Sequence, residues 1–416
     1  MQKIKTENVE TLQKSNKTFV PRGFLFASSA KTEYECLNKM IFGADIIYAP
    51  VVIRVRKGDF LFLINRDNNT ISGIFESAGE GVYNIDQNIW GGKYPYQVKV
   101  KKINDVITIS DADKILKEFN IKRNTPIIGK KLKKFLDIFK SSSNSDFIEK
   151  LKEKINEKIV DIEEEIPIIE STTFWDFPKQ SYGITPKGNN KYAGVTPALI
   201  IYNMVWRYTL PGELVVDPMC GSGTTIDVCK TEKRKAIGYD IVPTRPDIIQ
   251  NDARKIPLPD NSVDMCFIDS PYGDNIKYND HPQSLGNISA EDETFYNEME
   301  KVMAECYRIL KPNKVLGWLI GDQWVKGTFT PVGFKIYERL CKYFKPVDII
   351  CVSRRNQSSN TDVWHNRARR LNFYLRGFKN LIIVRKDINI KEERIENKKK
   401  VNWTYYDRKK WGNNEF

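Results

Sequence analysis

Histidine is nearly missing from this chain: His281 and His365 are the only two in 416 residues. A histidine metal cage or a serine-histidine hydrolase therefore has almost nothing to build from, and no metal site is expected. The seven cysteines, at 36, 220, 229, 266, 306, 341 and 351, are scattered and never form a CxxC pair, so they read as reduced packing residues. No apolar run approaches the ~20 residues that a membrane span requires. The N-terminal MQKIKTENVETLQKSNKTF lacks the apolar stretch and small-residue cleavage site of a secretory signal. A cytoplasmic protein without a membrane partner is the expectation.

What is plentiful is positive charge. Sixty-six Lys and Arg against 53 Asp and Glu leave a net +13, a balance that favours phosphate-bearing partners or anionic surfaces. Residues 21–125 carry β-rich runs, GFLFASS, VVIRVRKGDFLFLIN, TISGIFES and YPYQVKVKK, with one helical stretch near Thr32 to Met40. Asn68 and Asn69 between two of these runs are hairpin chemistry, because asparagine tolerates positive φ. Residues 126–170 turn to Lys, Glu and Ile, with an SSSNS break at 141–145, and read as a charged helical connector with a solvated face. Residues 1–20 and 391–416 read as a polar leader and a basic tail.

From 171 to 390 the pattern becomes strand-helix alternation. Apolar strands are expected at 214–217, 236–240, 248–250, 264–269, 314–320, 347–353 and 380–385, which implies a doubly wound α/β sheet of seven strands. The first of them runs into LVVDPMCGSGTT, a buried strand ending in Asp217 and a Gly-rich turn. Ligands of open α/β sheets bind at such carboxyl ends. Gly221 and Gly223 permit backbone approach that a Cβ would block, and the following helix offers free N–H groups. A P-loop would need lysine where Thr224 and Thr225 stand, and a dinucleotide fingerprint would need a third glycine where Ile226 stands.

DPMCGSGTT resembles the first motif of class I S-adenosylmethionine-dependent methyltransferases that act on amino groups of nucleic-acid bases. The resemblance implies a Rossmann-like sheet and assigns Asp217, Pro218, Gly221, Gly223 and Thr224 to the cofactor's amino acid end. It implies that Asp240, ending the second strand, takes the ribose diol, and that Asp252 reads the adenine amino edge. GVTPALI resembles the segment closing over the methionine end, with Thr196 and Pro197 starting a helix. Trp175 is a candidate for the same pocket, with a core aromatic as the favoured reading.

DSPY at 269–272 resembles the (D/N/S)PP(Y/F) motif of the same enzymes. An exocyclic base amine is a poor nucleophile because its lone pair is delocalised into the ring, so two acceptors aimed at its N–H bonds are needed to localise that pair. The resemblance implies Asp269 and the Ser270 carbonyl as acceptors, Pro271 fixing the turn, and Tyr272 stacking on a base removed from its stack. Serine stands where the family usually has proline. Aspartate at the first position leans towards adenine over cytosine.

Further along, RRNQSSNTDVWHNRARRLNFYLRG resembles the family's loop bordering the base pocket. Arg354, Arg355, Arg367, Arg369 and Arg370 suit phosphates, and Trp364 suits splayed bases, with His365 a weaker candidate in the same loop. The N-terminal GFLFASSAKTEYECLNKMIFG, GDFLFLINRDNNTISGIFESAGEG and IWGGKYPYQVKVK resemble a DCD domain, a relative of YTH and EVE folds in the PUA-like superfamily. That resemblance nominates Ser28, Ser29, Lys31 and Trp90 as pocket residues, against a plain β-barrel whose aromatics form its core. The expected activity is methyl transfer from S-adenosylmethionine to an exocyclic amine, adenine-N6 or cytosine-N4, in DNA. An RNA base methyltransferase, for example at guanine-N2, and a non-catalytic reader of modified nucleic acid stay open. So does a partner nuclease.

Overall fold

Val20 to Ile166 and Pro167 to Lys386 are built on different plans, and the chain divides between Ile166 and Pro167. The computed structural model describes residues 19–140, 145–155, 165–274, 276–325, 327–355 and 360–387. The basic tail, almost all of the polar leader and much of the charged run after Ile155 lie outside the described residues.

The first unit contains β1 (Gly23–Ser28), α1 (Ala30–Lys39), β2 (Ile41–Ala44), α2 (Ala49–Val52), β3 (Phe60–Asn65), β4 (Thr70–Ser77), β5 (Val82–Tyr83), β6 (Tyr96–Ser110), α3 (Ala112–Glu118), α4 (Gly129–Asp137) and α5 (Ser145–Glu153). Its sheet runs β1-β3-β4-β6-β2, with β5 on β6. The asparagine turn joins β3 to β4 as expected, with Asn69 at φ +52° and its side chain accepting from the Asp113 N–H. One expectation changes and another is extended. Val51 and Val52, the start of a run read as β-rich, belong instead to the helix of residues 49–52, because Pro50 presets a helical φ at its start. The Lys-rich stretch after 126 is helical with a charged face, and its other face is buried: Leu132, Phe135, Leu136 and Phe139 pack with Phe62, and Ile148, Leu151 and Ile155 join the same core. Its charges occupy one face of each helix, and the spacing of its apolar residues buries the other.

The second unit contains β7 (Phe174–Trp175), α6 (Ala198–Tyr208), β8 (Leu214–Asp217), α7 (Thr224–Thr231), β9 (Lys235–Asp240), β10 (Ile248–Gln250), β11 (Val263–Asp269), α8 (Glu293–Ile309), β12 (Leu310–Gly321), β13 (Gln323–Val325), β14 (Thr328–Thr330), α9 (Val332–Tyr343), β15 (Lys345–Ser353), α10 (Asp362–Arg370) and β16 (Phe378–Arg385). The main sheet is ordered β10-β9-β8-β11-β12-β16-β15-β7. Among the described residues it has eight strands, not seven. The extra one is the two-residue β7 beside β15, too short to leave a pattern in sequence. Strands β10 through β12 are parallel, whereas β16 runs antiparallel to both β12 and β15.

Strand alternation puts Cys266, Ile268, Leu316, Trp318 and Ile320 on one face, against Phe295, Met299, Val302 and Met303 of α8 and Ile336 and Leu340 of α9. On the other face Gly317 admits Met204 of α6, whose Cε lies 2.6 Å from where a Cβ would stand. From β8 the chain first moves outward to β9 and β10, then returns to place β11 on the opposite side of β8. That reversal opens a crevice at the carboxyl ends of β8 and β11.

Candidate active site

The crevice is an open cleft at the carboxyl ends of β8, β9 and β11. Asp217 and Asp269, the last residues of β8 and β11, line it together with Asp240 at the end of β9 and Asp252 beyond β10. The walls are completed by Thr196, Gly221, Ser222, Thr224, Pro271 and a group of residues from two loops.

Asp217 is buried; its Oδ2 accepts from Thr225 Oγ1 at 2.5 Å and its Oδ1 from the Met219 N–H at 3.1 Å. Burial pushes its carboxyl up to about 7, with the charges of Asp240 and Asp269 acting in the same direction against those two donors. Asp240 accepts from the Gly221 N–H at 2.9 Å and the Val242 N–H at 3.0 Å, which clamps the glycine loop to the end of β9. Burial raises its carboxyl also. Each carboxylate has lone pairs left over for a ligand. Asp252 is differently placed, because Arg254 wraps it with Nε at 2.9 Å and a terminal nitrogen at 2.6 Å. Burial opposes the ionised form there, but the Arg254 bonds outweigh it and hold the carboxyl below its usual range.

Gly221 takes φ +51° with the Tyr192 ring 3.0 Å from where a Cβ would be, so the loop passes directly beneath an aromatic wall. Gly223 and Pro218 do not line the cleft. Gly223, at φ +81°, is the turn into α7 with the Arg245 guanidinium packed over it, and Pro218 is buried behind Asp217. Arg245 is anchored by Asp227 and Asp247.

At the other end of the cleft Thr196 Oγ1 donates to Asp269 Oδ2 at 2.8 Å, joining the segment before α6 to the end of β11. Lys379 on β16 reaches the same carboxylate, Nζ to Oδ1 at 2.8 Å and to Oδ2 at 3.0 Å. Tyr272 departs from expectation, whereas the bond made by the Ser270 hydroxyl leaves its main-chain carbonyl, the acceptor expected there, unengaged. The Ser270 hydroxyl is buried and accepts from Trp318 Nε1 at 2.9 Å. Tyr272 belongs to the hydrophobic core, only 8% exposed and packed on Gly321, with its hydroxyl accepting from Arg354 at 3.1 Å. A ring held this way is not presented to the cleft. The rings that are presented belong to Tyr192 and Tyr278, which stack at 6.1 Å and 27° and both line the cavity. Burial raises both phenols.

The basic segment does not converge on the cleft. Arg355 pairs with Asp176, and Arg354 is directed at Tyr272. Arg367, Arg369 and Arg370 stand exposed in the last turn of α10, with the Arg367 guanidinium 5.1 Å above the Trp364 ring. His365 Nε2 lies 3.0 Å from Asn360 on the outer surface. Trp175 is buried on β7, its indole N–H bonded to the Thr172 carbonyl, away from the cleft. In the first unit Ser29 caps α1, Ser28 donates to the Ile64 carbonyl, Trp90 packs over Gly43 and Lys31 is exposed.

Sequence reading missed Tyr192, Tyr278 and Lys379. Tyr278 sits six residues past DSPY, near enough to have been a candidate, whereas Lys379 is 110 positions from Asp269 and only the antiparallel strand unites them. Among the described residues no group of His, Cys, Asp and Glu is arranged to hold a metal ion, and no helix is long and apolar enough to cross a membrane.

Residues 22–143 match the family described as the Development and cell death domain. The B2 protein of Daucus carota is 31% identical over 111 residues, 23% of this chain and 54% of that protein, so the chain spans about half of its relative's length. Among solved structures, TrmN from Thermus thermophilus is 14% identical, with 47% of this chain and 51% of that chain covered and a TM-score of 0.32. TTHA0409, also from Thermus thermophilus, named as a candidate DNA modification methylase and complexed with S-adenosyl-L-methionine, is 23% identical over 35% of this chain and 59% of that chain, with a TM-score of 0.24.

Proposed function

We propose that the second unit is an S-adenosyl-L-methionine-dependent methyltransferase acting on an exocyclic amino group of a nucleic-acid base, with DNA as the leading substrate. The observation that supports it most is the meeting of Asp217, Asp240 and the glycine loop with Asp269 and Pro271 in one cleft. A cleft lined by several carboxylates and raised carboxyl groups favours a cationic ligand rich in N–H and O–H donors. S-adenosyl-L-methionine meets that description and supplies a methyl group on a sulfonium, which leaves as a neutral thioether.

Asp217 and the N–H groups of the loop suit the cofactor's amino acid end, and Asp240 suits the ribose hydroxyls. Asp252 borders the adenine, its carboxylate oriented by Arg254. Asp269 accepts an N–H of the target amine, drawing the lone pair onto nitrogen and offsetting the positive charge that develops as the C–N bond forms. The proton then lost from nitrogen passes through this carboxylate to water. Tyr278 takes over the stacking role expected of Tyr272, and Thr196 fixes the acceptor's orientation. The exposed arginines of α10 suit phosphates outside the cleft.

The DCD-like first unit is assigned here to placing or checking the nucleic acid. Calorimetric titration of S-adenosyl-L-methionine into the full chain tests the cofactor assignment. Binding that is lost in Asp217→Ala and weakened in Asp240→Ala supports it; undiminished binding in both variants contradicts it.

A further inference from the structure

We propose that Lys379 is a positioning residue for the acceptor carboxylate of Asp269; this rests on the methyltransferase reading given above. Lys379 lies on β16, in register with Gly321 of β12 and Val352 of β15. Because β16 runs antiparallel between them, its first residues end beside the carboxyl end of β12, one strand away from Asp269. The side chain passes beside Gly321, where a Cβ would stand at ordinary contact distance from the Lys379 Cγ, 3.7 Å, and from the Tyr272 ring, 3.5 Å. The side chain runs past Tyr272, its Nζ 5.7 Å from the ring centroid, and spans both carboxylate oxygens. The lysine side chain is 16% exposed and the aspartate 10%, so water does little to screen the pair.

The groups facing this pair explain its use. Asp217 and Asp240 share the cleft with Asp269, Tyr278 and Tyr192 close it from the loops, and Arg354 donates to the Tyr272 hydroxyl. Thr196 orients one oxygen but carries no charge. Lys379 is a cation in direct contact with Asp269. Without it the carboxylate is held on one oxygen only, by Thr196. A carboxylate free to rotate offers a poorer acceptor to the amine. The ammonium, bonded to both oxygens, fixes the plane of the carboxylate and leaves outer lone pairs for substrate.

The test compares Lys379→Met and Lys379→Arg with the unaltered full chain. In Lys379→Met, kcat should fall about 100-fold, the scale of a misaligned reacting group, while affinity for S-adenosyl-L-methionine stays within a few-fold. Lys379→Arg should retain most of the activity. An unchanged kcat in Lys379→Met would overturn the assignment. A double-mutant cycle in thermal stability gives a readout independent of turnover. The Tm loss of Lys379→Met should largely vanish in an Asp269→Asn background, and additive losses would overturn the pairing. If the unaltered chain methylates no nucleic acid while the cycle shows coupling, the methyltransferase reading fails and the pair stands as a contact without the proposed role, which also overturns the inference.

Discussion

Trp318 and Ser270 form a buried hydrogen bond, indole Nε1 to Oγ at 2.9 Å, between the middle of β12 and the residue after β11. It accounts for a serine where methyltransferases with this motif usually have proline. The hydroxyl satisfies a buried indole donor that a proline could not. Ser270→Ala should therefore cost about 1–3 kcal/mol, the usual penalty for an orphaned buried donor, read as a lower Tm. A Tm unchanged in Ser270→Ala would show that the indole finds another partner.

Tyr278 and Tyr272 make a contrasting pair for mutation. Tyr278→Ala should raise KM for nucleic acid by a factor corresponding to about 1–3 kcal/mol of base stacking, with little change in Tm. Tyr272→Ala removes a core ring and should cost about 3–5 kcal/mol of stability. Steady-state kinetics and thermal melts on both variants check the assignment; the opposite pattern would return the stacking role to Tyr272.

The Asp217 carboxyl gives a pH dependence of definite sign. Its folded-state value, pushed up by burial to about 7, lies above the ordinary 3.8. The folded chain therefore holds a proton that the unfolded chain has released, and stability present at low pH is lost as the pH rises from about 4 through 7. The loss from this one group is on the order of a few kcal/mol. A cationic ligand binds the ionised form better, so affinity for S-adenosyl-L-methionine should increase over the same window. Melts and titrations between pH 5 and about 8 on the unaltered chain and Asp217→Asn test both slopes, which the variant should flatten.

The arginines of α10 act on affinity rather than chemistry. Replacing Arg367, Arg369 and Arg370 with alanine should weaken nucleic-acid binding uniformly across sequences. The slope of log K against log salt should fall by about one for each phosphate that is no longer neutralised. Fluorescence anisotropy at several salt concentrations measures this. An unchanged slope would move the phosphate-binding face elsewhere.

The parts of this molecule that were legible in sequence are those in which a local pattern carries the structure. Asp217, Asp240 and Asp269 each end an apolar strand, and Asn69 marks its turn, so strand positions and cleft carboxylates could be read in order. The misreadings arose where the answer depends on distant packing. Lys379 meets Asp269 only because β16 inserts antiparallel next to β12. Tyr272 turns inward to the core, its ring beside Gly321 and its hydroxyl accepting from Arg354. Residues 129–137 carry many lysines, yet Leu132, Phe135 and Leu136 are spaced to bury one face, and composition hid that periodicity. The long β6 ran past its expected end to Ser110 because Val106, Ile107, Thr108 and Ile109 resume strand character after Asn104 and Asp105.

The most direct test of the account is transfer of labelled methyl from S-adenosyl-L-methionine by the full chain to duplex DNA, single-stranded DNA and total RNA in parallel, followed by nucleoside mass spectrometry. The account predicts labelled N6-methyladenine or N4-methylcytosine in DNA, abolished in Asp269→Ala with cofactor binding retained. Label confined to RNA would keep the cleft chemistry and replace the leading substrate. Absence of labelled base in all three, with S-adenosyl-L-methionine bound, would contradict the central claim.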